Sequence, residues 1–279
     1  AKRTHKLTNR LNIRELSFFG RKQELSQLEE YLSLVETGEA VGPFLVMGQS
    51  GTGKKRLLRQ LVLMSNRSFN FIKVEGRATS QRYEGSSWND LRQALEKLGD
   101  EMGISLLEEE DDLISVWNQL QSLSKEKPLL ILLENAQWFD AVSLEKVKQL
   151  EERRNQEKWQ LIFTAEEPLP AFFVNFLGGL KVEKRLSQLG LTNFAPSESR
   201  ALLKGELGAI EPAVMEQMVE WSEGSPFLLS SYIEEWKENE NLEPLPDIIQ
   251  AYLSQELGDM SSEEEALLHY LSCFHKPIS

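Results

Sequence analysis

Gly48-Gln49-Ser50-Gly51-Thr52-Gly53-Lys54-Lys55 is the run of this chain best equipped for chemistry. Its glycines let backbone N–H groups wrap an anion, and the Lys54 ammonium can reach the terminal phosphates of a nucleotide. The run follows the phosphate-loop (P-loop) pattern G-x-x-x-x-G-K-[ST] in every position but the last. There, Lys55 stands where a Ser or Thr hydroxyl would hold Mg²⁺. The phosphate cradle is present and the metal ligand is replaced.

The flanks are those that such a loop needs. Gly42-Pro43-Phe44-Leu45-Val46-Met47 is a short apolar run with the look of a buried parallel strand, and Arg56-Leu57-Leu58-Arg59-Gln60-Leu61-Val62-Leu63-Met64 has apolar residues at helical spacing. A glycine turn between strand and helix aims the free N–H groups and positive dipole end of the helix at an anion.

Phosphate-loop enzymes place an acid at the end of a second buried strand, and ATPases of the relevant branch put a second acid beside it to activate water. Here Pro128-Leu129-Leu130-Ile131-Leu132-Leu133 runs into Glu134-Asn135-Ala136-Gln137-Trp138-Phe139-Asp140. Glu134 is one methylene longer than the usual Asp, and Asn135 cannot accept a proton. Lys55, Glu134 and Asn135 together predict lost or very slow hydrolysis. Lys55 has two readings: its ammonium lies where a metal would sit, or it points to solvent from the helix start.

The elements that must position these groups alternate. Strands are expected at residues 44–47, 69–74, 129–133, 161–163 and 186–191. Amphipathic helices are expected at 23–35, 88–98, 113–123 and 144–153. Such alternation gives a parallel sheet covered on both faces. From Asn193 the strand signal vanishes. Residues 197–207, the first with a Ser cap and Glu198 in its opening turn, then 212–221, 226–236 and 247–257, read as helices.

The whole chain bounds the function. Its 279 residues carry 31 Lys+Arg against 44 Asp+Glu, a net charge of -13, which argues against a surface built to coat DNA or anionic lipid. The lone Cys273 rules out an intrachain disulfide and Cys-rich zinc ligation, so a reducing, cytoplasmic setting is expected. His5, His269 and His275 form no metal-binding cluster in sequence, and Cys273, Trp117, Trp221 and Trp236 read as packing residues on helices. No apolar stretch is long enough to cross a bilayer. The start at Ala1 without methionine and the stop at Ser279 just after a new helical pattern predict a piece of a larger polypeptide.

In this order, these residues resemble the STAND class of signalling ATPases within the AAA-like P-loop superfamily, from about Phe18 onward. Phe18-Phe19-Gly20-Arg21-Lys22-Gln23-Glu24-Leu25 is similar to that class's opening motif F-V-G-R-E-x-E-L, which in relatives lies against the adenine. The resemblance thus implies nucleotide contacts at Phe19, Gly20 and Arg21, whereas the residues alone also allow Arg21 to pair with the acidic helix behind it. Lys55-Arg56-Leu57-Leu58 aligns with the usual S-R-L-L, and residues 129–140 with a strand normally ending D-D-x-H-W-x-D, from which Glu134, Asn135 and Gln137 depart. Gln160-Leu161-Ile162-Phe163-Thr164 resembles the fourth sheet strand, where Thr164 would sense phosphate; the arginine that many relatives carry next is replaced by Ala165-Glu166-Glu167. Glu223-Gly224-Ser225-Pro226-Phe227-Leu228-Leu229 looks like the lid motif G-N-P-L-x-L, whose proline side, here Pro226, lies near the base.

The expected fold is α/β: a flexible lead-in (1–14), a P-loop NTPase parallel sheet with flanking helices (15–192), a small all-helical lid (193–258), and the start of a truncated winged-helix domain (259–279). The expected function is a degenerate nucleotide-binding module, a regulatory or assembly switch in a larger signalling protein, with little or no ATP hydrolysis. ATP or ADP is the expected cofactor, its phosphates held by Lys54, Thr52 and the N–H groups of Gly51 and Gly53, beside Gly48, Lys55 and Arg56. Magnesium is in doubt, with Glu134 its one candidate ligand. Two alternatives stay open. One is an active ATPase in which Glu134 carries magnesium and Asp140 positions water; the other is an interaction scaffold with an empty site. The resemblance implies protein partners or covalently attached sensor and effector domains, and self-association under nucleotide control.

Overall fold

The computed structural model describes residues 17–39, 41–104, 112–154, 157–182, 186–240 and 242. Two compact units divide the chain, Phe18–Thr192 and a second holding Asn193–Ser279 with Ala1–Ser17. The lead-in at 1–14, the helix expected at 247–257, the winged-helix start at 259–279, and His5, His269, Cys273 and His275 lie outside the described residues.

In the first unit, α1 (Lys22–Glu36) precedes β1 (Phe44–Gly48), α2 (Lys54–Ser65), β2 (Asn70–Glu75), α3 (Ser86–Met102), α4 (Asp112–Leu123), β3 (Leu129–Glu134), α5 (Ala141–Arg153), β4 (Trp159–Ala165), α6 (Ala171–Val182) and β5 (Ser187–Leu191). The five strands form one sheet in the order β2-β3-β4-β1-β5, and every neighbouring pair is parallel. All five expected strands are present. The helix α6 went unread, because Gly178 and Gly179 and the mostly apolar run 172–177 blurred its helical period.

Strand alternation sorts the core into two layers. Leu129, Ile131 and Leu133 of β3 pack with Ile72, Val74, Leu161 and Phe163 against α3, α4, α5 and α6. Leu130 and Leu132 pack with Val46 and Ile162 against Leu28 and Leu32 of α1 and Leu57, Leu58 and Leu61 of α2. A continuous apolar strand such as β3 is what burial on both faces demands. Truncating a fully buried leucine such as Leu58 to alanine costs about 2–5 kcal/mol in such a core. The expectation that Trp117 is a packing residue fits its edge-on contact with Trp159, ring centroids 5.9 Å apart.

This order has a consequence for binding. β1 lies between β4 and β5, while the chain leaving it crosses to β2 at the far edge. In open α/β sheets, ligands bind beyond the carboxyl ends of the strands where such a reversal opens a crevice. The glycine loop leaves β1 at that point.

The second unit contains α7 (Pro196–Leu207), α8 (Pro212–Ser222) and α9 (Pro226–Asn239). Leu202, Leu203, Met218, Leu229 and Ile233 are buried there. The Ser cap expected for the first of these helices is replaced. Ala195 precedes the helix, Pro196 opens it, and the Glu198 carboxylate accepts from the Ala195 N–H at 2.8 Å. At α9, Ser225 is the cap and Pro226 occupies the first turn, where its missing N–H costs nothing. Gly224 has φ +74°, its carbonyl accepts from the Phe194 N–H at 2.8 Å, and a Cβ there would lie 2.1 Å from the Phe194 oxygen. The Gly224-Ser225-Pro226 motif is thus accounted for by a left-handed close approach followed by a helix start.

Candidate phosphate-binding site

Gly51 and Gly53 adopt positive φ, 79° and 93°, and Gly53 is the residue from which α2 starts. Gly48 must be glycine for a second reason: a Cβ would lie 2.6 Å from the Leu191 oxygen and 2.8 Å from Thr52 Oγ1. Thr52 is buried and donates its hydroxyl to the Gln49 carbonyl at 2.8 Å, closing the turn. The N–H groups of the first turn of α2, which a helix leaves without intrahelical acceptors, complete an anion cradle.

Lys54 lies at the mouth of this cradle with only 6% of its side chain exposed. Its ammonium donates to the carbonyls of Gly48 (2.8 Å) and Gln49 (2.9 Å) and pairs with Glu166 at 3.2 Å. Burial pulls this ammonium below the ordinary lysine range, the Glu166 carboxylate opposes that shift, and the charge of Lys55 adds to it. The register Met47↔Ala165 explains the pairing: it sets residue 166 beside the first residue of the glycine loop.

Strand parity places the remaining charges. Ile72 and Val74 face one core layer, so Lys73 and Glu75 face the other, the α1 and α2 side; Leu130 and Leu132 put Glu134 on that same side. Glu75 and Glu134 are register partners across β2 and β3. Lys55, in the first turn of α2, forms an ion pair with Glu75, and Lys73 pairs with Glu134 at 2.7 Å. Burial alone would raise Glu75, but the hydrogen bond and charge of Lys55, with Lys73 and Arg77, outweigh it and hold its carboxyl below the usual range.

Neither reading of Lys55 holds in full. Its side chain is half exposed, yet it is held over the end of β2 by Glu75. Glu134, the carboxylate expected to bind magnesium, is buried and paired with the Lys73 ammonium. A hard divalent cation needs several oxygen donors. Here the position next to Lys54 supplies a cation, and the acid of β3 is already neutralised. The donor set does not fit Mg²⁺.

Asp140 is tied into the fold. It caps α5, and its carboxylate accepts from the Ser143 N–H (2.9 Å), the Ser143 hydroxyl (2.6 Å), the Gly85 N–H (2.8 Å) and the Ser87 N–H (3.3 Å). Burial raises its carboxyl, but these hydrogen bonds prevail and hold it below the ordinary range. Its acceptor capacity is taken up by capping α5 through Ser143 and by tying α3 to α5 through Gly85 and Ser87.

The other expected site residues divide. Asn135 sits at φ 52° and donates its N–H to Thr164 Oγ1 at 2.9 Å. Thr164 is fully buried, so in this arrangement it ties β4 to β3 and offers no surface to a phosphate. Arg21, at φ 56° before α1, pairs with Glu24 at 3.0 Å and donates to the carbonyls of Thr52 (3.2 Å) and Thr192. It braces the loop after Gly20 against the glycine loop, and it meets the acidic helix as one reading foresaw. Phe19, Gly20 and Arg56 are half buried, Arg56 in the first turn of α2. Pro226 belongs to the second unit. The sequence reading missed Lys73 and Glu75, although their alternation with Ile72 and Val74 beside the acidic strand was visible as two charges on one strand face.

A parallel sheet with a glycine loop and lysine after β1 and an acid ending a second buried strand, β3, defines the P-loop nucleoside-triphosphatase class. Within it, the chain belongs to the AAA ATPase domain family, which matches residues 17–163, just over half of its length. Among solved structures, it is similar to the Walker-type ATPase PABY2304 of Pyrococcus abyssi, with 19% identity and a TM-score of 0.65 over 91% of this chain and 76% of that one. The Aeropyrum pernix ORC1 protein, solved in complex with DNA, shares 15% identity at a TM-score of 0.58, covering 94% of this chain and 74% of its own. The ORC2 protein of the same organism, solved as ADPNP–ADP complexes, shares 15% at 0.55 over 91% and 73%. At these identities the likeness is one of fold. No curated protein matches the chain in sequence. No described helix is long and apolar enough to cross a membrane.

Proposed function

We propose that this chain is a nucleotide-binding AAA module that holds an adenine nucleotide without magnesium, hydrolyses it little or not at all, and serves as a regulatory or assembly switch in a larger signalling protein. One observation carries the reading: the face on which a metal would bridge protein and phosphate holds the ion pairs Lys55–Glu75 and Lys73–Glu134. The cradle itself fits a polyphosphate. The N–H groups at Gly51, Gly53 and the start of α2, with the Lys54 ammonium, would bind and orient it, and Thr52 holds the loop in shape. The end of β3 is poorly equipped to take a proton from water, because Asn135 has no basic group, Asp140 is occupied by four hydrogen bonds and Glu134 is paired with Lys73. Binding without turnover suits a switch whose attached domains read occupancy, as the STAND resemblance implies.

Calorimetric titration of ATP and ADP, with and without Mg²⁺, tests this against Lys54→Ala. The expected result is Lys54-dependent binding that Mg²⁺ leaves unchanged, with no steady phosphate release. Lys54-dependent phosphate release would support a working ATPase instead. Absence of heat from folded, nucleotide-free protein would support a scaffold with an empty site.

A further inference from the structure

We infer that Glu166 makes this site select a nucleoside diphosphate over the triphosphate. The inference rests on the nucleotide-binding reading above and adds the state of the ligand. In a P-loop the outermost phosphate is held chiefly by the lysine and the metal, whereas the inner phosphates lie among backbone N–H groups. Here the lysine charge is already matched. Lys54 and Glu166 are 3.2 Å apart, and Glu166 is the more exposed partner, 30% against 6%, so its carboxylate stands on the open side of the ammonium.

Among the described residues, the neighbouring cations are already engaged with carboxylates. Lys55 is matched by Glu75, and Lys73 by Glu134, so each lysine on the phosphate side carries its own carboxylate. A third phosphate adds about one negative charge beside Glu166, while the nearby described cations Lys55, Lys73 and Arg77 already act on Glu75. A diphosphate keeps its terminal group within the N–H cradle, where the donors are neutral dipoles that Glu166 does not cancel.

The position of Glu166 is fixed by the sheet. It follows Ala165, whose register partner Met47 immediately precedes Gly48, so the carboxylate is held at the start of the glycine loop by strand pairing. Glu167, one residue further, is exposed and supplies an internal control with the same charge.

The test is magnesium-free calorimetry of ADP and ATP with the wild-type chain, Glu166→Gln and Glu167→Gln, each checked for an unchanged thermal melt. The wild type is expected to bind ADP about tenfold more tightly than ATP. Glu166→Gln should gain about tenfold in ATP affinity, abolishing the preference, and Glu167→Gln should keep it. An ADP-to-ATP ratio that Glu166→Gln leaves unchanged, or that Glu167→Gln shifts equally, overturns the role of Glu166 while leaving Lys54-dependent binding intact. Failure of both nucleotides to bind the folded wild type and Glu166→Gln overturns the nucleotide site itself, and this inference with it.

Discussion

Lys73 of β2 places its ammonium 2.7 Å from the carboxylate of Glu134, the last residue of β3. The two come from adjacent strands and share a face, so the pair is built into the sheet and does not depend on a loop. Glu134 is buried whereas Lys73 is half exposed, and a carboxylate buried without a partner would carry a large desolvation cost. The lysine therefore does for the resting protein what a metal ion would do in a magnesium-dependent relative.

Replacing the cations should restore a metal requirement. Lys55→Thr alone leaves Lys73 on Glu134, so the double variant Lys55→Thr/Lys73→Thr is the informative one. It is expected to bind ATP more tightly with Mg²⁺ than without, whereas the wild type shows no difference. Titrations with and without the ion check this, and an equal lack of magnesium response in both proteins would show that the lysines are bystanders.

Asp140 sets a stability prediction with a definite pH dependence. Asp140→Asn keeps the shape but loses the charge that accepts from Gly85, Ser87 and Ser143, a loss of about 1–3 kcal/mol in denaturant unfolding near neutral pH. The folded carboxyl titrates below the unfolded value of about 3.9, so the native state binds fewer protons. Its contribution is complete above that unfolded value and disappears as pH falls through the folded one. The gap between wild type and variant should therefore close in acid. A gap that stays constant to low pH would assign the bonds to shape alone.

Thr164→Val distinguishes a sensing hydroxyl from a structural one. Thr164 is fully buried and accepts from the Asn135 N–H, so the variant should lose about 1 kcal/mol of stability and keep its nucleotide affinity. A large fall in affinity at unchanged stability would mean that β4 moves on binding and turns the hydroxyl to the phosphate.

Gly224→Ala should destabilise the helical unit by about 1–3 kcal/mol, because the residue has φ +74° and the new Cβ would meet the Phe194 oxygen at 2.1 Å. Hydrogen exchange resolved by segment checks this. Protection should fall in α7, α8 and α9. It should persist in the sheet if that unit melts independently.

The sequence determined the cradle and every strand by itself, and the helices apart from α6. Apolar runs of strand length, helices of amphipathic period and the Gly48–Lys54 spacing are local patterns, and local geometry is enough to produce them: positive φ at Gly51 and Gly53, and a helix starting at Lys54. The departures at Lys55, Glu134 and Asn135 were also legible, since they are substitutions in a known pattern. What each charge does was decided only by the tertiary structure. Lys73 meets Glu134, Lys55 meets Glu75 and Lys54 meets Glu166 because strand parity and parallel register bring residues from separate segments onto one face. Asp140 caps α5 through the nearby Ser143, a local matter, but it ties α3 to α5 only because packing presents the N–H groups of Gly85 and Ser87 to it. Electrostatic partners are set by distance in space, and the one-dimensional pattern carries no register between strands.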